Sequence, residues 1–212
     1  MKIEWLGHAC FMLTSADGTR ILTDPFNEKV GYKVPHVETD LVTCSHGHYD
    51  HHSVEVVKDH PEVIDTPGKH QFRGIAITGT HVWHDHENGE ARGGNIVFVF
   101  EMDGLRIAHM GDLGHVPDKK QVEAIGHVDV MMIPTGGHFT IDPVEAIEVI
   151  KLFSPRIVIP MHFKTPVMNF PIVGVDAFLQ LAGAAERPDR DIEITAQTLP
   201  KQQKIIVFNY PI

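Results

Sequence analysis

The order of the predicted elements indicates an α/β protein with two mixed β-sheets packed together and helices on the outside. The chain up to residue 45 reads as strands separated by turns, and the remainder alternates strands with helices, as in layered α/β domains. Apolar residues make up 42% of the 212-residue chain and charged residues 22%, so the chain can build a sizeable core. Since no linker or low-complexity segment interrupts the sequence, we expect one domain over residues 1–212.

Ten apolar runs bounded by turn residues are predicted to be strands. Asp17-Gly18 and Asp103-Gly104 are tight-turn signals between consecutive runs. Residues 25–38 carry Pro, Gly and Asn without a sustained period, which indicates a loop. The predicted strands are 3–6, 10–13, 20–23, 40–45, 74–79, 95–101, 105–109, 128–133, 156–160 and 204–208.

Four segments are predicted to be helices. The best-defined one starts at Asp142-Pro143-Val144-Glu145, with Asp as N-cap, Pro at the first helical position and Glu three residues after the cap. Apolar residues every three positions from 144 to 153 give this helix one buried face. The others are 53–58, which begins at Ser53 and stops before Pro61, 118–125, which is closed by Gly126, and 175–184.

Charge and cysteine usage narrow the class of protein. Lys and Arg number 18 and Asp and Glu number 28, a formal charge of −10, and an acidic chain without a basic run is not typical of a nucleic-acid binder. Cys10 and Cys44 are too few for a disulfide framework and are expected to be buried in a reducing compartment. No signal peptide or membrane span is read from the sequence, so we expect a cytoplasmic protein without a membrane partner.

The most informative segment is His46-Gly47-His48-Tyr49-Asp50-His51. The chain has 16 histidines, and here four side chains of metal-binding type lie within six residues, directly after a strand candidate. A chain that turns over at a strand end can present His46 and His48 to one metal ion, with Asp50 and His51 facing a second. Imidazole and carboxylate ligands suit Zn, Mn or Fe. An exposed polar loop with coincidental histidines is the alternative, and this spacing argues against it.

Through this motif and several later residues, the sequence resembles the metallo-β-lactamase-fold superfamily. The match consists of the His46–His51 motif, a later histidine, Gly111-Asp112 and Pro160-Met161-His162, and it covers nearly the whole chain. Leu6-Gly7-His8-Ala9-Cys10-Phe11 resembles the start of the bacterial branch that contains ascorbate-6-phosphate lactonase. The resemblance implies a four-layer αββα sandwich, with metal ions at the edge where the strand-end loops meet.

The resemblance also implies a site for two divalent metal ions, expected to be zinc, with Mn or Fe as alternatives. Asp112 would bridge the two ions, and Asp50 could also orient an attacking hydroxide. The implied ligands are His46, His48 and a third histidine for the first ion, Asp50, His51 and His162 for the second, and Asp112 for both.

The third histidine has three candidates close together. In the branch that the sequence resembles, it follows a strand and precedes an acidic loop that contains glycine, and this register selects His84. His81 and His86 are the alternatives. Asp85 can support the site or simply be solvated.

Other residues are candidates for the site on weaker grounds. His8 belongs to the Gly-His pair that the branch carries near its start, and His138 follows Thr135-Gly136-Gly137; both are candidate catalytic residues. Relatives often carry an aromatic residue at position 138, so His138 departs from their pattern. Lys164 could pair with a substrate anion or be solvated, and no role is assigned to His115. Met168, Phe170 and Pro171 could form a pocket wall or pack in the core.

The implied activity is hydrolysis of an ester, lactone or phosphoester of a small molecule, which can be anionic. Two metal ions would activate a hydroxide as the nucleophile, so no Ser or Cys nucleophile is needed. The alternatives are a di-iron redox protein, a nuclease of the same fold and a metal-binding protein without catalysis. The redox group has Glu in place of His48 and an appended flavin domain, and the acidic charge argues against a nuclease. The sequence leaves the substrate, the metal and the oligomeric state open.

Overall fold

The structure is a computed structural model and describes residues 1–210. Its α-helices are α1 (Lys119–Ile125), α2 (Pro143–Phe153) and α3 (Val175–Ala182). Its strands are β1 (Lys2–Gly7), β2 (Cys10–Thr14), β3 (Arg20–Thr23), β4 (Leu41–Thr43), β5 (Glu62–Ile64), β6 (Gly68–Phe72), β7 (Ile75–Trp83), β8 (Gly94–Met102), β9 (Leu105–His109), β10 (Val130–Pro134), β11 (Ile157–Met161), β12 (Ala185–Glu186), β13 (Asp191–Glu193) and β14 (Lys204–Ile206).

The strands form two mixed sheets, as the sequence predicts. The six-stranded sheet has the order β13-β1-β2-β3-β4-β5, and the eight-stranded sheet has the order β12-β14-β11-β10-β9-β8-β7-β6. Strands that are consecutive in the chain form most of the antiparallel pairs, such as β7 with β8, whereas β9, β10 and β11 run parallel. Among residues 1–210, no helix combines the length and apolar character needed to cross a membrane.

The main core lies between the two sheets. Alternate residues of β1, β2 and β3 face inward, among them Trp5, Phe11 and Ile21, and they belong to one buried cluster with Phe98 and Phe100 of β8. Helix α2 adds Ala146, Val149, Ile150 and Phe153 to this cluster. Because strand residues alternate between faces, this inward set follows directly from the apolar pattern of the strands.

The outer face of the six-stranded sheet is covered by loops and not by an α-helix. Cys10, Met12, Leu22, Val42 and Cys44 pack there as a second cluster, and both cysteines are buried free thiols, as expected. The covering side chains are Phe26, Val30, Tyr32, Val57, Met168 and Ile172. The prediction of a helix over residues 53–58 is wrong, since this segment forms a single 3₁₀ turn, Val54–Val56.

The strand directions bring one set of loops together. β1, β3 and β4 point the same way in the first sheet, and β7, β9, β10 and β11 point the same way in the second. Polar residues lie within three positions after the carboxyl ends of six of these strands. They are His8 after β1, Asp24 after β3, His46 after β4, His84 after β7, Asp112 after β9 and His162 after β11.

Candidate metal centre

Asp112 lies at the centre of a buried histidine cluster. Its carboxylate oxygens lie 3.2 Å from His51 Nε2, 3.3 Å from His162 Nε2, 3.4 Å from His84 Nε2 and 4.0 Å from His46 Nε2. These four rings come from three separate strand ends in the two sheets. Asp112 therefore lies where histidines from both sheets converge.

Three histidines form one side of the cluster. The side-chain nitrogens of His46, His48 and His84 all lie within 4.8 Å of one another. His46 Nε2 is 3.0 Å from His48 Nδ1, and the ring centroids of His46 and His84 are 4.7 Å apart. His48 is the exposed member of this group, so it lies nearest to solvent. The three-histidine group matches the predicted ligand set for the first metal ion.

Four side chains form the other side. His8, Asp50, His51 and His162 offer ligand atoms within 4.8 Å of one another. Asp50 Oδ2 lies 3.1 Å from His8 Nε2 and 3.5 Å from His51 Nε2, and the rings of His8 and His162 are 4.2 Å apart. The structure thus places His8, a predicted catalytic candidate, beside the three residues predicted to bind the second metal ion.

The cluster contains buried polar atoms without a hydrogen-bond partner among the described residues. Burying such atoms costs about 1–3 kcal/mol each unless another group satisfies them. A divalent cation would accept lone pairs from several converging imidazoles and carboxylates at once, so the donor set fits a metal centre. The unpartnered atoms are His8 Nδ1, His51 Nε2, His84 Nδ1, Asp112 Oδ1 and both ring nitrogens of His162.

Burial keeps the imidazoles of His46 and His8 neutral, and neighbouring histidines keep the carboxylates of Asp112 and Asp50 ionised. Burial lowers the pKa of His46 to about 3 and that of His8 to about 4, so both rings are neutral, which is the form that binds metal. Burial alone would raise the pKa of Asp112, but His162 and His51 hold it well below its ordinary value. Burial would likewise raise the pKa of Asp50, and His51 and His8 keep it below its usual range.

His51 behaves differently from the other rings. Burial would lower its pKa, but the carboxylates of Asp112 and Asp50 raise it well above the ordinary value. The negative potential of these carboxylates thus favours a cation between them. A proton on His51 and a metal ion would satisfy the same potential, so the two compete.

Asp24 fixes the orientation of His51 from behind. Its Oδ2 accepts hydrogen bonds from His51 Nδ1 at 2.7 Å and from Ser45 Oγ at 2.6 Å, and its Oδ1 accepts one from Ser45 N at 2.8 Å. The hydrogen bond to Nδ1 directs His51 Nε2 toward Asp112 and Asp50. Asp24 was not among the predicted site residues. The available signal was its position directly after β3, at the same edge as the other site residues.

Asn95 and Gly111 fix the position of Asp112. Asn95 Oδ1 accepts from Asp112 N at 3.0 Å, and Asn95 Nδ2 donates to Met110 O at 2.9 Å. Gly111 has φ +55°, and a Cβ there would lie 2.6 Å from Ser45 Cβ, so no larger residue fits. Sequence reasoning missed Asn95, whose signal was a lone amide at the start of an apolar strand.

The structure separates the three candidates for the third histidine. His84 is buried and its Nε2 lies 3.4 Å from Asp112. His81 is exposed and its ring packs on Trp83 at a centroid distance of 4.5 Å. The side chain of His86 is 62% exposed, with Nε2 3.5 Å from Glu145 Oε1. Only His84 reaches the cluster among these three, and its metal binding stays a prediction.

Three other candidate residues lie away from the cluster. His138 is exposed, its ring packs on Phe139 at 4.4 Å, and its carbonyl accepts a hydrogen bond from Arg92, so the structure does not bring it to the cluster. Lys164 Nζ donates to the carbonyl of Phe170 at 2.7 Å and so supports that loop. His115 lies between the backbone of Trp83 and Val116.

A cavity of about 440 Å³ opens onto the cluster, a size typical of small-molecule sites. Of the residues expected at its wall, Phe170 lines it, whereas Met168 is buried in the second core cluster and Pro171 is exposed. The lining residues are Gly47, His48, Tyr49, Asp50, His84, Arg92, Asp112, Phe139 and Phe170.

Known proteins are similar to this chain in both sequence and fold. A family model described as a beta-lactamase superfamily domain matches residues 2–162. The chain is 33% identical over 193 residues to a UPF0173 metal-dependent hydrolase of Thermococcus onnurineus, covering 78% of this chain and 85% of the relative. It is 33% identical over 211 residues to a UPF0173 metal-dependent hydrolase of Thermoplasma acidophilum, covering 86% and 91%.

A solved structure from Thermotoga maritima, assigned to the metallo-beta-lactamase superfamily, superposes with a TM-score of 0.83 at 43% identity, covering 98% of this chain and 97% of that one. The narrower resemblance to ascorbate-6-phosphate lactonase is not confirmed by these relatives. The metallo-β-lactamase fold, with its two mixed sheets, and the family resemblance are both confirmed. The chain therefore belongs to the metallo-β-lactamase superfamily.

Proposed function

We propose that this protein is a metal-dependent hydrolase that cleaves an ester, lactone or phosphoester bond of a small molecule at a two-metal site. The observation that carries the proposal is the position of Asp112, with imidazole nitrogens from both sides of the cluster within 3.2–4.0 Å of its carboxylate. The relatives from Thermococcus and Thermoplasma are both named metal-dependent hydrolases, which supports the same class of reaction.

The donor groups divide between two ions. His46, His48 and His84 would hold one divalent metal ion, the group around His51 and His162 would hold the other, and Asp112 would be shared. Zinc fits these ligands, and the Thermotoga relative is described as a candidate Zn-dependent hydrolase; Mn and Fe fit the same donors. When bound, a metal pair lowers the pKa of water to about 7 and polarises the oxygen of the bond to be cleaved.

The residues of the chain supply position and proton acceptance. Asp50 lines the cavity, stays ionised and is held by His8, so its carboxylate can orient a water molecule for attack. Phe139 and Phe170 line the same cavity and give it an apolar wall. None of the lining residues is Ser or Cys, so the described pocket offers no side-chain nucleophile of that kind.

Removal of Asp112 tests the proposal. The zinc-loaded protein should be screened against lactones, phosphodiesters and thioesters, and Asp112→Ala should abolish hydrolysis of any substrate found, because the shared ligand is lost. Asp176→Asn, an exposed carboxylate on α3, is the matched control and should keep wild-type activity. Full activity in Asp112→Ala with unchanged metal content would contradict a two-metal mechanism.

A further inference from the structure

We propose that Arg92 binds an oxyanion of the substrate, a carboxylate or a phosphate, so that the pocket selects small molecules that combine an anionic group with an apolar part. This inference rests on the proposed function, because it places the anionic group in the cavity that opens onto the metal centre. In addition to the bond to be cleaved, the substrate would then carry an anionic group and an apolar part.

Arg92 is the one Lys or Arg among the residues that line the described cavity. The cationic side chain shares this space with His84 and Asp112 of the cluster. Lys164, the cation that the sequence suggested for this role, is instead engaged with the carbonyl of Phe170. An anionic substrate group therefore has a single protein cation to meet inside the cavity.

The guanidinium of Arg92 keeps most of its hydrogen-bonding capacity. It lies 5.7 Å over the ring of Phe139 and donates one N–H to the carbonyl of His138 at 3.1 Å. In residues 1–210, no carboxylate lies within ion-pairing distance of it, whereas Arg106 and Arg73 each have such a partner. Since a guanidinium has five N–H donors in a planar fork, donors remain for a carboxylate or phosphate.

The loop that carries Arg92 is fixed to the metal centre. Asp85 accepts hydrogen bonds from the backbone N–H of Arg92 at 2.7 Å and from those of Glu87, Gly89 and Ala91. At the end of this loop, Gly93 O accepts from His84 N at 3.1 Å, so Arg92 is tied to a strand end that also carries a candidate ligand. A cation held this way is preorganised, which lowers the entropic cost of binding an anion.

The rest of the cavity wall is aromatic. Phe139 and Phe170 lie with ring centroids 6.0 Å apart, and Tyr49 is 45% exposed beside the cluster. Such a wall favours an apolar or flat group between the anion and the metal centre. The cavity is thus suited to an amphipathic small molecule and not to a uniformly polar one.

A purely structural role for Arg92 is the competing explanation, because its hydrogen bond to His138 joins two loops. Binding to the zinc-loaded protein can separate the two roles, with phenylphosphate and phenylacetate as anionic probes and benzyl alcohol as the neutral probe. Titration calorimetry should be run on wild type, on Arg92→Gln and Arg92→Lys, and on Arg73→Gln. Arg73 pairs with Asp40, which precedes β4 and so lies at the opposite end of that strand from His46. Arg73→Gln therefore removes one positive charge at a position distant from the cavity.

The proposal predicts that Arg92→Gln weakens binding of at least one anionic probe about tenfold to hundredfold, as expected for loss of charge-assisted hydrogen bonds, and leaves benzyl alcohol unchanged. Arg92→Lys should fall between wild type and Arg92→Gln, and Arg73→Gln should match wild type. Equal anion affinities in Arg92→Gln and wild type, equal losses for all three probes, or no anion binding by the wild type would each overturn it.

A matched pair of substrates distinguishes this inference from the proposed function. The 4-nitrophenyl monoester of glutarate carries a free carboxylate, and 4-nitrophenyl valerate is its neutral counterpart. If wild type cleaves them, Arg92→Gln should lose its preference for the glutarate ester mainly through a higher KM. Should wild type cleave neither ester nor any other substrate screened, hydrolysis is in doubt, while the calorimetry still decides the role of Arg92.

Discussion

Single residues behind the cluster determine how its ligands point. Asp24 does not line the cavity, yet its carboxylate holds both His51 and Ser45. It does so at φ +41°, and His8 and His162 also have positive φ, at +54° and +50°. Non-glycine residues rarely adopt this conformation, which costs of order 1–3 kcal/mol each and is typical of functional sites. These three are among the ten non-glycine residues with positive φ in residues 1–210, so part of the strained backbone lies at the cluster.

Asp24→Asn should weaken metal binding without removing a ligand. The amide keeps the size of the side chain but loses the charge that orients His51, and such losses typically cost tenfold to a hundredfold in metal affinity. Competition with a chelator of known affinity measures this, with Asp176→Asn as the exposed control. Wild-type affinity in Asp24→Asn would show that His51 needs no support from behind.

The third histidine can be identified by metal content. His84→Ala should lower the metal bound per chain, because the buried His84 ring lies 3.4 Å from Asp112. His81→Ala and His86→Ala are matched controls on the same segment and should stay near wild type, since both rings are exposed. Loss of metal in His81→Ala would mean that the register across residues 81–87 is wrong.

At the scale of elements, the loop from residue 85 to 92 is organised by one carboxylate. Burial would raise the pKa of Asp85, but hydrogen bonds from the backbone N–H of Arg92, Gly89, Glu87 and Ala91 outweigh it and lower the pKa to about 2. The folded-state pKa of Asp85 lies below the ordinary value of 3.8. The stability that the ionised Asp85 carboxylate contributes to the folded protein is therefore fully present above pH 3.8. It is lost as the pH falls through about 2.

Asp85→Ala should therefore loosen this loop while the rest of the fold persists. We expect faster hydrogen exchange at the backbone amides of Glu87, Gly89, Ala91 and Arg92, which lose their common acceptor. The amides of Val144 and Glu145, held by the Asp142 cap of α2, serve as an internal control. Unchanged exchange at all four loop amides would contradict the role given to Asp85.

Elements with strong local signals were predictable, and those that depend on tertiary pairing were not. The cap of α2 is confirmed, since Asp142 and Glu145 form the reciprocal capping box that the sequence indicates. The predicted helix at 53–58 is wrong, because Ser53 makes no side-chain cap and its hydroxyl instead donates to Tyr49 O at 2.7 Å. β6 was missed because Gly68–Phe72 is a largely exposed edge strand without an apolar alternation.

For the molecule as a whole, the placement of site residues after the carboxyl ends of strands explains how much of the site could be predicted. His46, Asp112 and His162 each follow a strand whose carboxyl end lies at the edge where the sheets meet, and their convergence could be expected from the motif. Asn95 could not, because its contact with Asp112 depends on the pairing of β8 with β9. Arg92 could not be predicted either, because it reaches the cavity through a loop conformation that the local sequence does not indicate.

In the proposed mechanism, two metal ions share Asp112. Anomalous diffraction from crystals of the zinc-loaded protein tests it most directly. Two peaks per chain are predicted, about 3.5–4 Å apart, one beside His46, His48 and His84 and the other beside Asp50, His51 and His162. A single peak in a fully loaded crystal, or peaks outside this cluster, would contradict a site in which two metal ions share Asp112.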